Sequence, residues 1–190
     1  MSGHFEALPD GGAAVPLDEV EVSILRSLAV QMLELIGPGD EPARGEDPLA
    51  ELFREGPSEK PSDPALARLF PDAYGDGDEQ ARAASAEFRR FTENDLRTRK
   101  REDALAVVRA LDGLVSAGGG RLELSPEEGR RWLGALNDLR LTIAARLEVT
   151  DDVENTALYR LPDSDPRKPM VMAYLWLGVL QETLVEALMP

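Results

Sequence analysis

The chain has 190 residues, enough for one hydrophobic core and too few for two of ordinary size, so a single helical domain over 1–190 is expected. Its formal charge of −15 disfavours attraction to nucleic-acid phosphates or to an anionic membrane. With no cysteine, these residues cannot form a disulfide, ligate an iron–sulfur cluster, build a thiolate zinc site or run thiol redox chemistry.

The lone histidine, His4, lies near the start of the chain, where a side chain is rarely held rigidly enough for chemistry. That removes the Ser-His-Asp triad and the Glu-x-x-His di-metal bundle. The opening MSGHFEALPDGG has neither the basic nor the apolar segment of a secretory signal, and no continuous apolar run approaches the ~20 residues of a bilayer span. A cytoplasmic location is expected.

In chain order, residues 3–16 read as two short extended pieces around Pro9-Asp10-Gly11-Gly12, a turn in which Asp-Gly tolerates positive φ. Residues 1–16 are therefore a hairpin or a tail. Apolar residues at helical spacing (Val20, Ile24, Leu25, Leu28, Met32, Leu35, Ile36) predict a long helix that Gly37-Pro38 ends. Residues 37–64, rich in Gly, Pro, Asp and Glu, read as a flexible acidic loop. Within and after it, Asp47-Pro48 and Asp63-Pro64 each place a capping aspartate before a proline at the first helical position, predicting short helices to Phe53 and Phe70.

From Asp78 to Val115 the pattern is helical, but its direction changes. Ala84, Phe88 and Phe91 share one face, whereas Leu105, Val108, Leu111 and Val115 centre on nearly the opposite one. A kink or break near Thr92 is expected, where Thr92-Glu93-Asn94-Asp95 resembles a weak capping box. Gly118-Gly119-Gly120 reads as a hinge, and Arg121–Leu124 as a short strand able to join the hairpin. Ser125-Pro126-Glu127-Glu128 is a stronger capping box and opens a helix to about Glu148. After a turn-rich stretch, Asp165-Pro166 is expected to start the last helix, burying Met170, Leu175, Trp176, Val179, Leu180, Leu184 and Leu188. The fold class is thus mainly α: a bundle of four long helices plus short helices, with a small N-terminal β-hairpin.

Residues 78–117 balance 8 acids with 8 bases while both flanks are acidic, and the basic phrase lies there. Arg89, Arg90, Arg97, Arg99, Lys100 and Arg101 read in three ways: a solvated helix face paired with nearby acids, a docking site for an acidic protein surface, or a DNA contact, which the total charge disfavours. Arg140 lies on an apolar stripe and needs a partner, for which Glu182 or Gln181 on the last helix is the nominee. Asp151 with Asp152, Asp163 with Asp165, and Asp76 with Asp78 are paired acids, but none matches an EF-hand, and Gly118–Gly120 matches no phosphate loop. No residue is assigned a catalytic, cofactor-binding or metal role.

The series Asp63-Pro64…Phe70-Pro71-Asp72-Ala73-Tyr74, Glu87-Phe88-Arg89-Arg90-Phe91…Asp95-Leu96-Arg97…Lys100, Trp132-Leu133-x-Ala135-Leu136-Asn137-Asp138-Leu139-Arg140-Leu141 and Tyr174-x-Trp176-Leu177-Gly178-x-Leu180-Gln181-Glu182 resembles the AosR family of actinobacterial oxidative-stress transcriptional regulators, long described as a domain of unknown function. The resemblance implies a regulator that associates with an extracytoplasmic-function sigma factor, senses oxidant through an N-terminal cysteine pair and raises expression of sulfur-assimilation genes. This chain departs from that pattern, because it has no cysteine. A non-enzymatic regulator that binds a protein of the transcription machinery, a sigma factor or RNA polymerase, is therefore expected. The alternatives are a general protein-interaction domain, open to homo-oligomers, and a carboxylate- or metal-dependent enzyme.

Overall fold

A computed structural model describes residues 3–37, 56–75, 77–149 and 160–189. The short helix expected at 47–53, most of the acidic loop, Asp76, Asp151 and Asp152 lie outside the described residues.

Three strands, β1 (Glu6–Ala7), β2 (Ala13–Asp18) and β3 (Gly119–Leu124), form an antiparallel sheet in that order, so the third strand does join the hairpin. Gly11, at φ +81, makes the turn, and Asp10 accepts a hydrogen bond from the Gly12 amide. Because β1 pairs only with Ala13 and Ala14, β2 is an edge at Pro16, where a missing amide proton costs no ladder bond. At the far end of β3, Gly119 has φ +106, and a Cβ there would lie 2.7 Å from the Leu17 carbonyl oxygen. The expected hinge is thus the start of a strand that only glycine can enter.

Five helices are described: α1 (Glu19–Ile36), α2 (Pro64–Leu69), α3 (Glu79–Val115), α4 (Pro126–Arg146) and α5 (Lys168–Leu188). Four are long and α2 is short, as expected for the bundle. Local hydrogen bonds explain most of their starts. Asp18 and Glu21 form a reciprocal capping box for α1, and Ser125 and Glu128 form one for α4. Asp63 caps α2, accepting from the Ala65 and Leu66 amides at 2.8 and 3.1 Å.

Two expected helix boundaries fail. Asp165-Pro166 does not open α5: Asp165 instead accepts from the Arg167 amide at 2.9 Å and pairs with the Arg167 guanidinium, closing a turn, and the helix begins at Lys168 with Pro169 in its first turn. Nor does α3 break near Thr92. It runs unbroken for 37 residues, and the Thr92 hydroxyl bonds back to the Phe88 carbonyl at 2.8 Å instead of capping a new helix.

α1 packs on α3, α3 on α4 and α4 on α5, with α2 against α4 and the sheet under one end. The core between them is built from Leu25, Met32, Leu111, Leu136, Leu139, Leu177, Leu180 and Leu184, all sealed from solvent. Both tryptophans are buried, and Trp132 takes the Phe5 ring edge-on at 6.2 Å, fixing the N-terminal strand onto α4. α5 is long and apolar enough by length and composition to cross a membrane, but in this fold one of its faces is core.

Candidate functional site

An α-helix turns 100° per residue, so residues four and eleven apart return to nearly the same side. Along the whole of α3 the covered side is one stripe: Ser85, Arg89, Glu93, Ala104, Val107, Val108 and Leu111. Its C-terminal half is apolar and its N-terminal half is polar. Phe88 and Phe91 lie on the opposite side, 49% and 63% exposed. The change of direction that suggested a kink is therefore two aromatics facing water on a continuous helix.

The polar half of the stripe is internally paired. Arg89, 4% exposed, forms an ion pair with Glu93 and donates to the Phe70 carbonyl at 3.0 Å and to Asp72 at 2.8 Å. Glu93 is also met by Arg97 at 2.8 Å, and Arg97 reaches the Ile36 carbonyl at the end of α1 at 2.7 Å while lying over the Phe70 ring at 4.4 Å. Arg101 donates to the Gly37 carbonyl, and Lys100 pairs with Asp138 on α4 at 2.6 Å. Each of these cations satisfies a group that burial would otherwise penalise: helix-end carbonyls, or carboxylates out of water. The Arg89 hydrogen bond holds the Asp72 carboxyl below the usual carboxylate range. Asp138 is pushed up by burial, against which Lys100 pulls it down. Asp103, one turn along α3 from Lys100, is likewise raised by burial, with Arg99 opposing.

Of the six bases that form the basic phrase, Arg89, Arg97, Lys100 and Arg101 thus face inward. Arg90 lies over the Phe91 ring at 4.8 Å, and Arg99 is exposed. The outward side of α3 instead carries Phe88, Phe91 and Arg99, and Tyr74, 52% exposed, meets the Phe88 ring edge-on at 6.3 Å. Sequence reasoning missed Tyr74, Phe88 and Phe91 as surface residues. The available signal was their position opposite the leucine stripe, which needs no kink if they are simply solvent-facing.

Arg140 finds its partner on the last helix, but it is Gln181, whose side-chain oxygen accepts from Nη1 at 2.6 Å; the guanidinium also lies over Tyr174 at 5.3 Å. Glu182, the other nominee, is exposed, because one residue further along α5 is a 100° rotation away from α4. Asp78 caps α3 and Asp165 binds Arg167, and among the described residues no three His, Cys, Asp or Glu side chains group as metal ligands. The open grooves among the described residues include two of several hundred cubic ångströms. One, of about 580 Å³ between α1 and the end of α3, includes Arg26 and Asp112, paired at 2.6 Å. The other, of about 460 Å³, is chiefly apolar, with Leu28, Leu139, Ile143 and Met170 in its walls. Neither contains Asp103 or Asp138, the described carboxylates held above their usual range.

A family defined as a domain of unknown function, DUF2017, matches residues 2–188. The chain belongs to this family. Similar relatives are the oxidative stress regulator AosR of Mycobacterium tuberculosis and that of Mycobacterium bovis, each 33% identical over 180 residues, covering 89% of this chain and 78% of the relative. A Mycobacterium leprae relative is 34% identical over 183 residues, covering 89% of this chain and 79% of its own. No solved structure matches the chain at a significant level. The family resemblance in the sequence is thereby established, and these relatives carry the name of regulators.

Proposed function

We propose that this chain is a non-enzymatic, cytoplasmic transcriptional regulator that acts by docking a protein of the transcription machinery, an extracytoplasmic-function sigma factor, on the outward side of α3. The observation that carries this reading is the set Phe88 and Phe91 on α3 with Tyr74 packed edge-on against Phe88, all about half exposed or more, and the exposed Arg99 cation about two turns further along the helix. Aromatics and arginine dominate the energetics of protein interfaces, because each removes a large rigid surface from water at little entropic cost. Four inward-facing bases that bind carbonyls and carboxylates leave the aromatics and Arg99 as the contact set, with Arg90 at its margin. The names of the relatives support a regulatory role. With no cysteine in these residues, the switch works by something other than a thiol pair.

The test is capture of sigma factors from the native host on the immobilised chain, comparing the wild type with Phe88→Ser/Phe91→Ser and with Arg99→Glu. Loss of the captured sigma factor with the aromatic pair, at unchanged melting temperature, supports the reading. Equal recovery by all three removes this face from consideration.

A further inference from the structure

The sequence pattern placed Met170, Leu175 and Val179 in the core of the last helix, and the structure exposes all three, at 42%, 36% and 47%. The reason is position. α5 is the last helix of the array, and among the described elements it packs chiefly on α4 and the sheet, so its buried residues Trp176, Leu177, Leu180, Leu184 and Ala187 occupy one side. On the other side, Met172 (41% exposed), Leu175 and Val179 form an apolar strip.

The residues that extend this strip are ordered by charge. Lys168, Met172, Leu175, Val179, Glu182 and Glu186 recur at spacings of four, three, four, three and four, which is the seam of a coiled coil. The seam is cationic at its N-terminal end, apolar in its middle and anionic at its C-terminal end. It is also palindromic: reversed about its midpoint between Leu175 and Val179, Lys168 falls on Glu186, Met172 on Glu182, and Leu175 on Val179.

We infer that this side of α5 is a self-association surface, on which two copies of the chain pack α5 antiparallel to α5 about a two-fold axis. An isologous contact requires a surface complementary to itself after a half-turn, and this palindrome supplies it. Charge fixes the direction. A parallel arrangement stacks Lys168 on Lys168 and both glutamates on their own copies, three repulsive layers, whereas the antiparallel one pairs Lys168 with Glu186 at both ends. The Lys168 ammonium donates to the Leu161 carbonyl at 2.8 Å, which uses one of its three protons and leaves the charge intact. Met172 adapts to the aliphatic stem of Glu182, whose carboxylate stays at the rim. The same charge order argues against a lipid surface as the occupant, since the acidic end of the seam and the net charge of −15 oppose anionic headgroups. The seam spans about 27 Å of helix, a small interface, so the association is weak, on the order of micromolar. It lies on a different helix from the aromatic side of α3 and does not depend on the reading of that surface.

Sedimentation equilibrium of the full chain, from low micromolar to several hundred micromolar, tests the inference. The expected result is a monomer–dimer equilibrium. Leu175→Glu puts two unpaired carboxylates at the centre of the seam and weakens it by at least about a hundredfold. Because Leu175 is exposed, the same variant keeps its circular dichroism and melting temperature at low concentration. Lys168→Glu and Glu186→Lys each weaken the dimer by about three- to tenfold, since every substitution acts twice, and the combined Lys168→Glu/Glu186→Lys variant returns to near wild-type affinity. That rescue distinguishes the antiparallel pairing from any generic sticky surface. A monomer at every concentration overturns the inference, as does a dimer that Leu175→Glu leaves intact. Cosedimentation of the wild type with phosphatidylcholine–phosphatidylglycerol vesicles, abolished by Leu175→Glu without any dimer in solution, overturns it in favour of a membrane surface.

Discussion

The Lys100 ammonium lies 2.6 Å from a carboxylate oxygen of Asp138, an ion pair that joins α3 to α4 with the acid almost wholly out of solvent. Burial pushes the Asp138 carboxyl up and Lys100 pulls it back, so the pair works only as a pair.

Lys100→Met keeps the aliphatic stem and strands the acid. The expected cost is about 3–5 kcal/mol by urea denaturation at neutral pH, and adding Asp138→Leu recovers much of it. The pH dependence has a definite sign. A carboxyl whose folded pKa is raised destabilises the fold while ionised and is relieved by protonation, so the Lys100→Met variant gains stability as pH falls from neutral through that raised value. A variant whose stability only declines on acidification contradicts this account.

Asp72 has the opposite sign. Its hydrogen bond from Arg89 depresses its pKa, so its contribution is complete above the unfolded-state value and is lost as pH falls through the lower folded one. Asp72→Asn is expected to flatten that part of the acid limb in denaturant melts taken across pH. Arg89→Met is expected to be much more severe, because it leaves Glu93 buried with one guanidinium partner fewer and the Phe70 carbonyl without its donor from Arg89.

Ser125 caps α4 and receives Glu128 in return. Ser125→Ala should cost about 1 kcal/mol, and Ser125→Gly only a few tenths, in thermal or urea unfolding. Equal losses for the two substitutions point to packing, not capping, as the role of this side chain.

The two sides of α3 should separate stability from binding. Phe88→Ser and Phe91→Ser remove exposed rings and are expected to change unfolding free energy by no more than about 0.5 kcal/mol. Phe70→Ala, which removes a 1% exposed ring beneath Arg97, should cost about 3–5 kcal/mol. Calorimetry on the three variants checks this, and a large loss from Phe91→Ser means that the ring has a covered partner.

The helices and most of their starts were legible because they depend on contacts within a few residues. Asp63-Pro64 and Ser125-Pro126-Glu127-Glu128 satisfy amide protons two or three positions on, and the structure puts helices there. Asp165-Pro166 shows the limit of such rules: Arg167 competes for the same carboxylate, and a second proline, Pro169, offers another start. On α3, hydrophobicity misled, since its buried N-terminal half is Ser85, Arg89 and Glu93, and its large apolar residues there face water.

By itself the sequence determined a mainly helical domain with an N-terminal hairpin and third strand, a core of aliphatic residues, the absence of thiol chemistry within these residues, and the family. Tertiary structure alone decided which charges are spent inside. Arg89 is used up by Phe70 and Asp72, Arg97 by Ile36, Lys100 by Asp138 and Arg140 by Gln181, and every one of those partners lies at least seventeen residues away along the chain. It alone also left Met172, Leu175 and Val179 exposed on α5. A residue's local neighbours fix its backbone conformation, but desolvation depends on what the rest of the chain brings against it, and that is set only when the helices pack.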